Sequence, residues 1–152
     1  MSAITSPAAN STGTSAWADS VADQINQMRT YITYTGAAEV TPGAGTATWV
    51  TMGNVTVPTW ATRARCSISI NSAVASAAGV SMGPAIKIGT STGVVQRITA
   101  PATGRQPTIG WNDLLTSVPT GSQSVTIPVT FVLGTFTATA PCLFNLNIDW
   151  MQ

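Results

Sequence analysis

The chain has 152 residues, of which 44% are apolar and only 7% charged, with six Lys or Arg, five Asp or Glu and no histidine. That length buries one real core with attachments, and apolar content with so little charge is the reverse of what keeps a chain disordered. A formal net charge of +1, its cations scattered singly apart from Arg63 and Arg65, excludes the clustered basic footprint that nucleic acid requires.

Residues 1–14 are small, polar and uncharged, broken by Pro7 and Gly13. Alone they read as a tail, and against a neighbour as an extended arm. They have neither the charged start nor the apolar stretch of a signal peptide, and no later run approaches a membrane span. The expectation is a protein made and kept in the cytosol until it is assembled, with no membrane partner.

Residues 15–30 carry the one helix expected, an oligomerising one. Ser15 or Thr14 caps the first turn, and Asp19, Asp23 and Arg29 follow the polarity that the helix dipole favours. Ala18, Val21, Ile25, Met28 and Ile32 fall three or four apart, an a/d stripe with Trp17 at its flank. A helix this short is marginal alone in water, so the stripe must be buried against something. The stripe itself leaves two burial partners open, sister copies or the chain's own β-domain.

From residue 31 onward the chain reads as antiparallel β-sandwich of jelly-roll type, with roughly eight strands. Residues 31–35 lead into the first, and the Pro42-Gly43 chemistry marks a turn. Residues 46–52 and 54–60 predict two strands parted at Gly53, the second lying at a sheet edge or ending at Pro58. Residues 63–74 alternate most clearly, with Cys66, Ile68 and Ile70 on one side and Arg65, Ser67, Ser69 and Asn71 on the other. Strands follow over 80–88, 93–100, 124–136 and 143–150, with 101–107 a loop and 108–118 short and mixed. Cys66 and Cys142, far apart and without metal-ligand spacing, read as two buried thiols rather than a disulfide.

Chemistry is sparse. Gly89-Thr90-Ser91-Thr92-Gly93 matches a G-x-S-x-G nucleophile elbow, but that elbow needs a base, usually histidine, and a following helix. A hairpin turn fits better. Glu39, Asp113 and Asp149 are too dispersed for a carboxylate pair, and no metal cage or dinucleotide loop is present. The sequence therefore predicts no catalytic residues, no cofactor and no metal. Arg63 and Arg65 share a strand face and suit a solvated edge or a subunit contact. Trp60 and Trp111 are core or interface anchors, or stacking faces for carbohydrate. The low charge also suits a surface covered by other subunits better than one kept soluble by charge.

The order of parts resembles small virion proteins of tailed bacteriophages: head-fibre, capsid-decoration and minor tail proteins. The matching residues are Trp17, Ala18, Asp19, Val21, Asp23, Ile25 and Asn26, then Trp49, Val50, Val55, Val57 and Pro58. The likeness covers about the first 60 residues. It implies a non-enzymatic virion protein, homotrimeric, attached through arm and helix with the sandwich, residues 31–152, outward. Its implied partners are its own copies and other virion proteins such as the major capsid protein. The alternative is a tail-fibre or receptor-binding tip that recognises host surface glycan.

Overall fold

The computed structural model describes residues 28–40, 47–106 and 108–152. The predicted arm and residues 15–27 of the predicted helix lie outside them, as does the Pro42-Gly43 turn. The described residues form eleven strands: β1 (Arg29–Val40), β2 (Ala47–Val57), β3 (Arg63–Ala75), β4 (Ser81–Pro84), β5 (Lys87–Ile88), β6 (Ser91–Thr92), β7 (Ile98–Thr99), β8 (Gly104–Arg105), β9 (Ile109–Thr116), β10 (Gly121–Leu133) and β11 (Phe136–Met151).

They make two antiparallel sheets. One has the order β1-β11-β3, with β9 and β8 sharing the far edge of β3. The other centres on β10, flanked by β2 on one side and by β4 and β5 on the other, with β7 and β6 outside those. Merging β4 with β5, β6 with β7 and β8 with β9 reduces this to two four-stranded sheets. Consecutive strands then mostly cross from one sheet to the other.

The core lies between the sheets because each long strand alternates. Ile68, Ile70, Phe144, Leu146 and Ile148 from the first sheet are buried in one cluster with Val50, Met52, Val125, Ile127 and Val129 from the second. Each such side chain contributes about 1.5–3 kcal/mol when fully buried. Phe144 receives Tyr34 edge-on at 5.8 Å and Trp49 at 5.2 Å, which ties β1, β11 and β2 together. Cys66 is a free, buried thiol. Burial, then the nearby Asp113 and Asp149 carboxylates, push it up to about 12.

Four sequence expectations change. The helix does not extend over Arg29 and Thr30, which open β1. The Trp150 N–H donates to the Met28 carbonyl at 2.8 Å, and the Trp150 indole N–H to Thr30 Oγ1 at 2.9 Å. These bonds, with a run of β-formers, draw the chain into the sheet. Ile32 accordingly sits in β1 opposite Leu146, packed on its own core, and leaves the helical stripe.

The expected break at Gly53 is a bulge inside one strand. Val125 faces Gly53 and Thr126 faces Thr51, so Met52 is the extra residue, and Gly53 takes φ +121° without strain. The strands expected over 80–88 and 93–100 are fragments: the register of β4 on β10 shifts between Met82 and Pro84, and residues 93–97 carry no ladder. Irregular bonds replace it, such as Gly93 N–H to the Ile86 carbonyl (2.9 Å) and Gln96 N–H to the Pro84 carbonyl (2.8 Å). Residues 109–116, read as short and mixed, are a full strand held by eight paired positions on β3.

Candidate interaction surface

The outward face of the first sheet is built row by row from strand register. Arg29, Asp149, Arg65 and Leu114 stand side by side across β1, β11, β3 and β9. The next row is Tyr31, Asn147, Ser67 and Asn112, and the one after it Thr33, Asn145, Ser69 and Gly110. Side chains alternate strictly between faces, so the face opposite the apolar core is a ladder of Ser, Thr and Asn with its charge gathered at one end.

At that end Arg29 Nε donates to Asp149 Oδ1 at 2.7 Å. Arg63 donates through Nε (2.9 Å) and Nη2 (2.6 Å) to the backbone oxygen of Gln152. Arg65 is exposed and makes no hydrogen bond or ion pair among the described residues. Beside it lies an open hollow of about 800 Å³ lined by Met28, Tyr31, Arg65, Trp150 and Met151. Large apolar groups stay uncovered here: Tyr31 is 57% exposed, Leu114 46% and Met28 43%. The Tyr31 hydroxyl donates to Asn145 Oδ1 at 2.6 Å, which holds the ring over the polar rows.

Arg63, Arg65 and Met28 are thus brought to one end of one face. Trp17, Ala18, Val21 and Ile25 lie outside the described residues. Trp60 is half-buried against the core, and Trp111 is buried in it. The stacking role entertained for Trp111 is corrected: odd positions of β9 turn inward, so it presents no face to a ligand. Tyr31 was missed as a surface residue, although the inward parity of Ile32 marks it. Leu114 carried no such signal, since Leu115 beside it is equally apolar.

The G-x-S-x-G stretch is a hairpin. Gly89 and Thr90 connect β5 to β6, and Ser91 Oγ donates to the Thr116 carbonyl at 2.8 Å. Asp113 is 7% exposed and accepts at Oδ1 from the N–H groups of Val94 (3.1 Å) and Leu114 (2.9 Å). Its carboxylate ties Val94 to β9, and a Cβ added at Gly93 would run into it. Asp113 and Asp149 occupy opposite faces of the first sheet and form no catalytic pair. Among the described residues no three His, Cys, Asp or Glu converge on a metal position. Among the described residues no helix is long and apolar enough to cross a membrane.

No protein-family model matches the chain, and no curated protein matches it in sequence. Among solved structures it is similar to the VP2 subviral particle of infectious bursal disease virus, at 10% identity and a TM-score of 0.42. The Gx strain structure of the same virus gives 12% identity and a TM-score of 0.40. Both alignments cover 82% of this chain, which spans only 37% of the length of either viral chain. Likenesses at that level carry no weight for what the chain does.

Proposed function

We propose that this chain is a non-enzymatic structural subunit of a virus particle, of tailed-bacteriophage type. In this reading it decorates or stabilises the capsid as a homotrimer, attached through residues 1–27 with the sandwich outward. The observation that carries it is the outward face of the first sheet. It is a ladder of Ser, Thr and Asn four strands wide whose exposed apolar and cationic groups are concentrated at the end where residues 1–27 join. A surface so poor in charge suits burial between subunits, and the apolar stripe at Ala18, Val21 and Ile25 suits their gathering. The strand order, β1-β11-β3-β8/β9 facing β2-β10-β4/β5-β6/β7 once interrupted strands are merged, supports a jelly roll, an architecture of capsid and lectin domains. Fold alone does not fix function.

A second reading, a receptor-binding tip for host glycan, is favoured by Tyr31, an exposed ring over Asn and Ser side chains. Immunogold labelling of purified particles with antibody to the sandwich separates the two. Label over the head is the expected result, label at the tail tip supports the second reading, and unlabelled particles contradict both.

A further inference from the structure

The hollow beside Arg65 lies on the rim where residues 1–27 enter the sandwich, and its chemistry is opposite to theirs. Residues 1–27 contain Asp19 and Asp23 and no Lys or Arg. Three of the six cations, Arg29, Arg63 and Arg65, stand at this end, and the acid that shares their face, Asp149, is already paired with Arg29. Arg65 is left without a described partner, beside the uncovered apolar surface of Met28 and Tyr31.

We propose that this hollow receives residues 15–27 of a second copy of the chain, with Asp19 and Asp23 of one copy pairing Arg65 of the next. The inference rests on the self-association proposed above and names the surface that completes it. Asp19 and Asp23 are four apart and so lie on one side of a helix, flanking the stripe of Ala18, Val21 and Ile25. Read as a helix, residues 15–27 extend about 20 Å. The four strands of the face span about 14 Å, so the segment reaches across all four of them. Each copy's own segment ends at Met28, on the rim of its own hollow. Gathering the stripes about a common axis therefore sets each hollow beside the neighbour's segment. The pairing supplies register and partner choice more than bulk affinity, as charges at a rim do.

The test is a charge swap in the full chain, read by sedimentation velocity across micromolar concentrations. Arg65→Asp and Asp23→Lys are each expected to raise the oligomer's dissociation constant about tenfold, since each sets like charges together. The double variant is expected to recover most of that loss. Arg65→Ala, at an exposed position, gives a milder weakening, and far-UV circular dichroism confirms that each variant is folded. An oligomer indifferent to all of these overturns the proposed surface but leaves self-association standing. A native chain that is monomeric throughout overturns the self-association, and this inference with it. A swap that couples only in the melting of a monomer places the segment on its own sandwich and overturns the pairing between copies.

Discussion

The two flanks of this sandwich are held by different means. In the first sheet, strands of 12, 16, 13 and 8 residues run in long ladders, with one register shift each in β1-β11 and β11-β3. Across β10 from β2, the second sheet breaks into pieces of four residues or fewer. Single hydrogen bonds from loop backbone and one buried carboxylate replace the ladder there. The difference teaches that alternating apolar side chains specify a strand, whereas small residues with Gly and Pro leave its course to polar contacts made from elsewhere. It also predicts that the first flank fails through lost packing and the second through lost polar geometry.

The largest effect is expected in the first flank. Phe144→Ala removes a fully buried ring and both of its edge-on partners, Tyr34 and Trp49. Chemical denaturation should register a loss of about 3–5 kcal/mol. A loss below about 1 kcal/mol would erase the distinction between the flanks.

Gly93→Ala probes the second flank. Its new methyl meets the Asp113 carboxylate, and a cost of about 2–3 kcal/mol is expected. Asp113→Ala removes that obstacle along with the clasp on Val94, so the double variant should be destabilised by less than the sum of the two. Strict additivity would mean that the carboxylate does not hold Val94 beside Gly93.

Cys66 sharpens the comparison through pH. Its folded pKa, about 12, lies above the ordinary value of 9.0, so the neutral thiol is favoured in the fold. The stability this contributes is fully present below pH 9 and is lost as pH rises toward 12, by up to about 1.4 kcal/mol per unit. Urea midpoints at pH 8 and pH 10.5 measure it, and Cys66→Ala should flatten that part of the dependence. The smallest effect belongs to Arg29→Ala. The pair with Asp149 is well exposed, so a loss under about 1 kcal/mol, diminishing with added salt, is expected in thermal melts.

What was legible in the sequence follows the same division. The sandwich and the faces of β3 could be read because apolar and polar residues alternate there. Two strands in place of one across Gly53 came from treating glycine as a stop, when an open position at positive φ lets a bulge keep the ladder running. The fragments from β4 to β7 were overread because Val80, Ile88, Val94 and Val95 have β propensity, while the bonds that steer them come from Pro128, Ser124 and Asp113. Of the surface, Arg63 and Arg65 could be singled out. Their juxtaposition with Met28, Tyr31 and Trp150 depends on β1 and β11 pairing across more than a hundred residues of chain.

The central claim is that residues preceding the sandwich join copies of the chain while the sandwich folds by itself. The most direct measurement is the solution mass of the full chain and of Ile25→Asp, each with its far-UV circular dichroism. The account predicts that the native chain is an oligomer and that the variant, with a charge in the middle of the stripe, falls to smaller species with its β signal unchanged. A native monomer, or a variant whose sheet signal collapses while its mass stays intact, would contradict it.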